Sequence, residues 1–399
     1  MFSDGLKKLI NDNLLRIIRD RESGSTASRI IIDGEEYINF SSNDYLGLAD
    51  HPLIIEAAKR AIDKYGFGAG ASRLLSGGTG LHRELEKMIA EFKGTDSALL
   101  FNSGYTANIS AIPAIADEGD VIFSDELNHA SIVDGCRLSK AKKVIYKHGD
   151  INHLSELIKK ENGNKKVVIT DTVFSMDGDI APLKDIYELC CFLNSKLSTP
   201  NSILLYIDDA HGTGVLGKGH GALAHFNIKP EPFITQMGTF SKALGSYGAF
   251  IAAQKDVIDW LINKARGFIY STALPACVIA ASIEALRILE GEPALVKKLW
   301  QSRERLFNGL HDLGFNTMKS ETPIIPIIPP LAKGGEEGLS DVETTVKFSE
   351  HLMKKHIYAP AIRPPTVKLP RIRFTVTAAH TEEDIDKLLT AVSNFPSRI

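Results

Sequence analysis

The stretch I-L-L-Y-I-D-D-A-H-G-T-G, residues 203–214, decides the fold that we expect for this chain. Its first part, I-L-L-Y-I at 203–207, has the length and apolar character of a buried strand. In an open α/β sheet, ligands gather where strands end and helices begin. The stretch therefore predicts a buried strand that delivers Asp208 and His211 to a functional site.

Further apolar runs lie on both sides of this stretch and alternate with amphipathic segments, a pattern typical of βα units in a mainly parallel sheet. The expected strands cover 98–101, 121–123, 144–146, 166–170, 203–207, 233–237 and 249–252. After residue 276 the pattern changes to helices, an apolar segment, an amphipathic stretch at 342–354 and a strand-like R-I-R-F-T. We predict an N-terminal helix and arm at 1–45, a large α/β domain at 46–285 and a small α+β domain at 286–399. Glycines at 334, 335 and 338 predict a surface loop over 331–340.

The composition is that of an ordinary globular protein, with 44% hydrophobic and 24% charged residues among 399. A net charge of −3 without a long basic run gives no reason to expect nucleic acid or an anionic membrane as partner. The N-terminus is too polar for a secretory signal and no apolar run reaches 18 residues, so we expect a cytoplasmic location and no membrane contact. Four cysteines without C-x-x-C spacing predict neither a disulfide nor a metal site.

Two loops after predicted strands carry residues suited to covalent chemistry. Lys242 lies in G-T-F-S-K-A-L-G at 238–245, and a lysine amine can form a Schiff base with an aldehyde, although most loop lysines are merely solvated. Asp208 ends a buried run, and an aspartate there can keep a pyridine nitrogen protonated or simply cap a helix. His211 follows at a spacing that also allows a metal-ligand pair, which no further ligand cluster supports.

Two other turns could contact a bound ring or phosphate. His129, in N-H-A-S, begins a predicted helix, where an imidazole could lie on an aromatic cofactor or remain an ordinary polar group. Ser103, Gly104 and Tyr105 form a strand-to-helix turn whose backbone N–H groups suit a phosphate. The glycine-rich segment 66–82 precedes the first clear strand, so its position argues against a dinucleotide-binding fingerprint.

Taken in order, S-G-Y, N-H-A-S, F-S-M-D-G, D-D-A-H-G-T-G and T-F-S-K-A-L-G resemble the α-oxoamine synthase family of fold-type I pyridoxal-phosphate (PLP) enzymes. The resemblance extends from F-S-S-N-D-Y-L-G-L to R-I-R-F-T-V-T-A-A-H and covers roughly residues 29–390. It implies a fold-type I PLP-dependent transferase with a large and a small domain. Active sites shared between subunits in the family imply a homodimer.

The resemblance also implies a role for individual residues. It makes Lys242 the Schiff-base lysine, Asp208 the partner of the pyridinium nitrogen and His129 the residue stacked on the ring, with His211 as the fourth catalytic residue. The other implied cofactor contacts are Ser103, Gly104, Tyr105, Ser175 and Thr239, with Ser271 and Thr272 reaching the phosphate of a neighbouring subunit. Arg373 is the implied anchor of the amino-acid carboxylate, and the remaining substrate-side positions are Arg16, Asn43, Arg363 and Thr366. Arg19 is an alternative to Arg16.

Within the family, D-D-A-H-G-T-G-V, F-I-Y-S-T-A-L-P and A-I-R-P-P-T-V are most similar to the biotin-pathway branch. That branch implies decarboxylative condensation of L-alanine with a pimeloyl thioester, carried by CoA or by acyl-carrier protein, to give 8-amino-7-oxononanoate. The segments 66–77 and L-N-H-A-S-I-V-D-G also resemble 2-amino-3-ketobutyrate CoA ligase, which leaves glycine and acetyl-CoA as alternative substrates. Two other classes remain: a non-catalytic subunit, against which Lys242, Asp208 and His129 together argue, and a nucleotide-binding protein.

Overall fold

A computed structural model describes residues 2–24, 27–196, 203–329 and 342–395 of the chain. The loop predicted at 331–340 lies outside these residues. All four cysteines carry free thiols. Within the described ranges, no helix is long and apolar enough to cross a membrane.

The helices and strands of the part of the chain that the structure describes are numbered in chain order. The helices are α1 (Phe2–Asn11), α2 (Pro52–Tyr65), α3 (Gly80–Lys93), α4 (Gly104–Ile115), α5 (Ala130–Leu138), α6 (Ile151–Lys160), α7 (Leu183–Asn194), α8 (Ala222–His225), α9 (Lys255–Lys264), α10 (Arg266–Ile269), α11 (Ala276–Gly291), α12 (Pro293–Asp312), α13 (Val342–Met353) and α14 (Glu382–Ser393). The strands are β1 (Arg29–Ile32), β2 (Glu35–Asn39), β3 (Ser97–Phe101), β4 (Val121–Asp125), β5 (Lys142–Tyr146), β6 (Lys166–Asp171), β7 (Ile203–Asp208), β8 (Ile234–Thr239), β9 (Ala249–Ala253), β10 (Ile324–Ile327), β11 (Ile357–Tyr358), β12 (Ala361–Ile362) and β13 (Arg371–Thr375).

The larger of two compact units comprises residues 51–174 and 180–296 and is built on a seven-stranded sheet. The strand order is β3-β9-β8-β7-β6-β4-β5. Strands β4 to β8 run parallel, while β9 is antiparallel to both β3 and β8. All seven strands predicted from the apolar runs are present, and each observed strand overlaps its predicted range. The predicted mainly parallel sheet is therefore confirmed.

Helices α4, α5, α9 and α10 cover one face of this sheet and form an apolar core with it. The core combines residues from strands and helices that are almost completely buried, among them Leu99, Phe101, Ile112, Ile132 and Ile251. Strands buried on both faces read as continuous apolar runs, which is why the sequence pattern located them. This packing holds the strands in place and so fixes where the loops at the carboxyl edge of the sheet begin.

The smaller unit comprises residues 1–50, 175–179 and 297–399 and contains two three-stranded sheets. One sheet has the order β1-β2-β11, so that the N-terminal segment and the C-terminal segment share backbone hydrogen bonds. The other has the order β10-β13-β12 and is antiparallel throughout. The predicted domain boundaries at 1–45, 46–285 and 286–399 stay a prediction. They treat the N-terminal arm and the C-terminal domain as separate, whereas strands of the two pair in one sheet.

Candidate active site

Asp208 is the last residue of β7, at the carboxyl edge of the parallel sheet. Its side chain is buried, and its two oxygens have different partners. The oxygen Oδ1 accepts the backbone N–H of Ala210 at 3.0 Å, and Oδ2 accepts the side-chain amide of Asn108 at 2.7 Å. The strand and these two bonds fix the carboxylate at the position that the sequence predicted for it.

Asn108 links Asp208 to two other buried side chains. Its amide nitrogen also donates to Oγ of Ser131 at 2.9 Å, and its oxygen accepts the hydroxyl of Tyr206 at 2.8 Å. Ser131 in turn contacts Nδ1 of His129, with 2.8 Å between Oγ and Nδ1. Four elements, α4, α5, β7 and the turn before α5, thus meet in one hydrogen-bonded network.

His129 is the N-cap of α5, as the N-H-A-S motif predicted for a residue at a helix start. Its backbone N–H donates to Oδ2 of Asp171, the last residue of β6, at 2.6 Å. Burial lowers the pKa of His129, the Asp208 carboxylate opposes that shift, and the charge of Lys242 adds to it. The hydrogen bond to Asp171, the register partner of Asp208, places His129 at the same edge of the sheet as Asp208.

Asp171 is a second buried carboxyl beside Asp208, since the two are register partners on neighbouring strands. Burial raises the pKa of Asp171 well above its usual range, and the charge of Asp208 raises it further. The charge of Lys242 acts in the opposite direction. Two carboxyl groups this close do not ionise independently, because each like charge disfavours the other.

Lys242 lies in the turn that follows β8, where the carbonyl of Lys242 accepts the N–H of Gly245 at 2.9 Å. Strand β8, which Lys242 follows, pairs with β7, which ends at Asp208, and the backbone of His129 is bonded to the end of β6, so all three residues lie at one edge of the sheet. His211 is buried two residues beyond the second aspartate of the D-D-A-H motif.

A phosphate-sized anion would find several donors at the start of α4. Ser103 is the N-cap of this helix, and its Oγ accepts the N–H of Thr106 at 3.1 Å. The backbone N–H groups of Gly104 and Tyr105 precede the first intrahelical bonds, a position that favours anions. Thr239, at the end of β8, has a buried Oγ1 without a hydrogen-bond partner among the described residues.

Gly104 is required at this turn by the close approach of Thr239. A Cβ on Gly104 would lie 2.8 Å from Cγ2 of Thr239, which is too close for any larger residue. The Tyr105 ring is half-exposed and its hydroxyl donates to Asp134 of α5. The buried Thr239 hydroxyl and the backbone N–H groups at the start of α4 fit the phosphate of PLP, because buried polar atoms normally have partners.

Ser271 and Thr272 lie before α11, and Thr272 contacts the residue that precedes this turn. The carbonyl of Thr272 accepts the side-chain amide of Asn102 at 3.0 Å, and Thr272 forms an isolated bridge with Ser72. The Thr272 side chain is exposed and that of Ser271 is partly exposed. Their predicted contact with the phosphate of a neighbouring subunit stays a prediction.

In the smaller unit, Arg373 lies on β13 and is buried. Its Nε donates to the carbonyl of Ser175, and its Nη2 donates to Oδ1 of Asn43 at 3.2 Å. Burial lowers the pKa of Arg373, while a hydrogen bond with Tyr45 opposes that shift. No carboxylate pairs with Arg373 among the described residues, so this buried cation has capacity for an anionic ligand.

Arg371 precedes Arg373 by two residues and lies on the same face of β13. Unlike Arg373, it forms an ion pair with Asp177 at 2.5 Å, and its guanidinium also donates to the carbonyls of Met176 and Leu369. The F-S-M-D-G motif thus supplies partners to both arginines of R-I-R. Within the described ranges, Arg371 has a carboxylate partner and Arg373 has none.

The substrate-side residues Arg16, Arg363 and Thr366 also lie close together in the smaller unit. Nη2 of Arg16 donates to Oγ1 of Thr366 at 3.2 Å, and Arg363 donates to the carbonyls of Asn13 and Leu15. Burial lowers the pKa of Arg363 and the nearby charge of Arg16 lowers it further. Two arginines are thus adjacent without a carboxylate partner within the described ranges.

Sequence reasoning did not identify several residues that organise the site. Tyr206 and Ser131 were quoted only as parts of motifs, and Asp171 lies three residues before the F-S-M-D-G motif. A tyrosine inside a strand that is buried on both faces is the available signal, because its hydroxyl needs a partner. Lys93, which contacts Asp209 at 2.8 Å across 116 residues, carries no sequence signal of its own.

Residues 35–392 match the family described as aminotransferase class I and II. The chain belongs to the class I and II aminotransferase family. It is 47% identical over 391 residues to 8-amino-7-oxononanoate synthase of Thermoanaerobacter pseudethanolicus, with 97% of this chain and 94% of the relative covered. The predicted family is confirmed by this match.

Solved structures support the fold of this class I and II aminotransferase family member. A variant of serine palmitoyltransferase from S. paucimobilis, solved with bound PLP and myriocin, superposes with a TM-score of 0.87 at 26% identity, covering 98% of this chain and 96% of that one. The 8-amino-7-oxononanoate synthase of Francisella tularensis has a TM-score of 0.75 at 28% identity, with 90% and 97% covered. The predicted fold-type I transferase architecture, the enzyme class and PLP as the cofactor of this family are confirmed.

Proposed function

We propose that this chain condenses L-alanine with a pimeloyl thioester and releases 8-amino-7-oxononanoate, CO2 and the free thiol. The observation that carries the proposal is the assembly of Lys242, His129 and Asp208 at the carboxyl edge of one sheet, in a chain whose relatives include an 8-amino-7-oxononanoate synthase. These are the groups that the reaction requires: an amine, a ring-stacking imidazole and a buried carboxylate.

The described residues fit PLP. Lys242 would hold it covalently, Asp208 would contact its ring nitrogen, and Ser103, Gly104, Tyr105 and Thr239 would hold its phosphate. When bound, PLP supplies an electron sink that stabilises negative charge at the amino-acid Cα. Asp208 serves that purpose because strand β7, Asn108 and Ala210 hold its carboxylate in place.

The chain's own residues would bind the amino acid and move its protons. Arg373 would bind the alanine carboxylate with a bidentate fork, because no carboxylate among the described residues pairs with its guanidinium. The amine of Lys242 would remove the Cα proton as general base. His129 would face the ring, with its main chain fixed by Asp171 and its side chain fixed by Ser131.

The acyl substrate ends in a carboxylate, which needs a cation at the far end of its pocket. Arg16 and Arg363, with Thr366 beside them, supply two positive charges of this kind. A two-carbon acetyl group would leave both arginines without a ligand. The same pair therefore favours the pimeloyl reaction over the glycine and acetyl-CoA reaction of 2-amino-3-ketobutyrate CoA ligase.

The working enzyme in this proposal is a homodimer. Ser271 and Thr272 are accessible on the surface of one chain, and in the proposed dimer they would reach the phosphate held by the partner subunit. Either pimeloyl-CoA or pimeloyl-acyl-carrier protein would serve as the acyl donor.

One assay tests the proposal directly. Purified enzyme loaded with PLP is given alanine or glycine together with pimeloyl or acetyl thioester, and CO2 release and products are measured. We expect pimeloyl thioester to be preferred over acetyl by at least about 100-fold in kcat/KM, equivalent to about 2.7 kcal/mol of transition-state binding. Alanine should be preferred to glycine. Efficient condensation of glycine with acetyl-CoA, without product from pimeloyl thioester, would establish the ketobutyrate ligase instead.

A further inference from the structure

The buried network around Asn108 determines where several protons lie. Asn108 is completely buried and makes three contacts: its amide nitrogen with Asp208 and Ser131, and its oxygen with Tyr206. An amide nitrogen can donate twice and an amide oxygen can only accept. Each contact therefore has a definite direction once the orientation of the amide is known.

The neighbours of Asn108 fix that orientation. If the amide were rotated by half a turn, its oxygen would face Oδ2 of Asp208 at 2.7 Å, and two acceptors would oppose each other in a buried site. In the observed orientation the nitrogen donates to Asp208 and to Ser131, and the hydroxyl of Tyr206 donates to the oxygen. Tyr206 therefore locks the amide by offering a hydrogen that only the oxygen can accept.

The direction of the hydrogen bond from Asn108 to Ser131 determines the direction of the bond from Ser131 to His129. Since Oγ of Ser131 accepts from Asn108, its own hydrogen is free to donate to Nδ1 of His129 at 2.8 Å. The backbone N–H of Ser131 also points to the same Nδ1, at 3.2 Å. Two donors directed at one ring nitrogen leave no room for a proton on it, so Nδ1 is an acceptor.

We propose that Asn108, Tyr206 and Ser131 are positioning residues that hold His129 neutral, with its proton on Nε2. The charged groups that act on the imidazole are Asp208 on β7 and Lys242 after β8, while Asp171 on β6 accepts the backbone N–H of His129. Burial lowers the pKa of His129, in agreement with the neutral ring that the geometry requires. His129 is thereby a donor through Nε2, and the lone pair on Nδ1 is already engaged by the two donors of Ser131, so it does not serve as a general base.

This inference deepens the proposed function, because it defines what His129 can offer to a ligand: an N–H donor. An N–H at Nε2 suits a carboxylate or carbonyl oxygen of the bound substrate. The proton arrangement itself follows from contacts within one unit of the chain. It therefore holds or fails independently of which acyl group the enzyme uses.

The test is to read the tautomer of His129 by NMR in holoenzyme labelled with ¹⁵N-histidine. The His129 signals are assigned by their loss in His129→Gln. We expect Nδ1 to be unprotonated and Nε2 to be protonated from about pH 6 to about pH 8, a range in which an ordinary histidine titrates. A proton on Nδ1 of the wild-type enzyme would overturn the proposal.

Variants separate a positioning role from a merely structural one. Ser131→Ala removes the hydroxyl that donates to Nδ1, and Tyr206→Phe removes the hydroxyl that fixes the Asn108 amide. Both variants should lower the ratio of the Nε2–H to the Nδ1–H form of His129. For Ser131→Ala we expect a decrease of about tenfold, the change that removal of one hydrogen bond brings. Ser131→Thr keeps a hydroxyl and should retain the wild-type ratio. Tyr146→Phe removes an equally buried tyrosine hydroxyl outside this network and is the matched control.

A wild-type ratio in both Ser131→Ala and Tyr206→Phe would overturn the proposal. If neither variant folds, the wild-type and Ser131→Thr tautomers decide it. Product formation from alanine and pimeloyl thioester is measured in parallel and reports on the proposed function alone. An Nε2–H tautomer in an enzyme that uses a different acyl group would support this inference while refuting that function.

Discussion

Asp208 and Asp209 are adjacent in the chain, but their carboxylates belong to different networks. Asp208 accepts from Asn108 and lies at the site, whereas Oδ2 of Asp209 forms a buried ion pair with Lys93 at 2.8 Å. Thr213 and Thr172 donate to the same carboxylate of Asp209, at 2.9 and 2.8 Å. Successive residues at a strand end point to opposite faces, so Asp208 reaches Asn108, whereas Asp209 reaches Lys93 and two threonines.

The first prediction separates these two roles. Asp208→Asn should fold and bind PLP but lose at least about 100-fold in turnover, since an amide cannot keep a pyridinium charged. Asp209→Asn leaves Lys93 buried beside an uncharged group and should lower the free energy of unfolding by about 3 kcal/mol. Steady-state kinetics and urea unfolding of both variants provide the test. The reverse assignment of the two losses would place the functional carboxylate on Asp209.

The second prediction concerns the covalent attachment of PLP. Purified protein should be yellow, and reduction with borohydride followed by peptide mapping should place the label on Lys242. Lys242→Ala should abolish turnover while the fold persists, because covalent catalysis does not survive loss of its nucleophile. Lys255→Ala, at an exposed position paired with Asp259, is the control and should behave as wild type. A label on any other lysine would refute the assignment.

Much of the fold was predictable because the central strands are apolar runs bounded by polar loops. Each of the seven strands lies where its run predicted, and the predicted ends differ by at most two residues. Asp208 illustrates the error: the prediction ended the strand at residue 207, but Asp208 still pairs with Met237 in the sheet. Polar residues can extend a strand when backbone pairing continues, and periodicity does not report this.

Contacts between distant residues were not predictable in the same way. Arg371 and Asp177 are 194 residues apart, and no local pattern links them. The turn at 175–179 belongs to the smaller unit, although the chain on both sides of it belongs to the larger unit. The three contacts of Asn108 likewise join α4 to Ser131 of α5 and to Tyr206 and Asp208 of β7, and no local pattern links these segments.

The third prediction compares the two arginines of β13. Arg373→Lys should mainly raise KM for alanine, by about tenfold or more, because a single ammonium replaces a bidentate fork. Arg371→Lys should leave that KM unchanged and should instead weaken the pair with Asp177. Alanine saturation curves and unfolding midpoints of the two variants distinguish these outcomes. Unchanged alanine dependence in Arg373→Lys would move the carboxylate anchor to another residue, with Arg363 the next candidate.

The fourth prediction is a loss of stability in acid from two buried histidines. Burial lowers the pKa of His82 and of His380 to about 4. In each, Nε2 donates to a backbone carbonyl while Nδ1 accepts a backbone N–H. The native rings stay neutral between about pH 6.5 and about pH 4, whereas the unfolded chain takes up protons there. Stability should therefore be complete above pH 6.5 and fall as the pH decreases, by up to about 3 kcal/mol for each histidine.

Urea midpoints measured across this pH range check the prediction. His82→Gln and His380→Gln should each flatten the dependence, while His225→Gln, at an exposed position, should not. Asp44 acts in the opposite direction, because burial raises its pKa to about 6 and its protonation favours the native state as the pH falls. A pH dependence that both buried-histidine variants leave unchanged would exclude these residues as its source.

The last prediction concerns the far end of the acyl substrate. Arg16 and Arg363 lie beside Thr366 without a carboxylate partner among the described residues, and the charge of Arg16 lowers the pKa of Arg363. A terminal carboxylate would relieve that repulsion, whereas an acyl chain of equal length that ends in a methyl group would not. Pimeloyl thioester should therefore be preferred to heptanoyl thioester, and Arg16→Gln should reduce this preference by about tenfold. Arg19→Gln is the matched control, because its guanidinium contacts Met353 instead. KM for alanine should stay constant in both variants, since the proposed anchor of that carboxylate is Arg373. If Arg16→Gln lowered kcat/KM equally for both thioesters, Arg16 would hold the N-terminal segment in place and would not bind the terminal carboxylate.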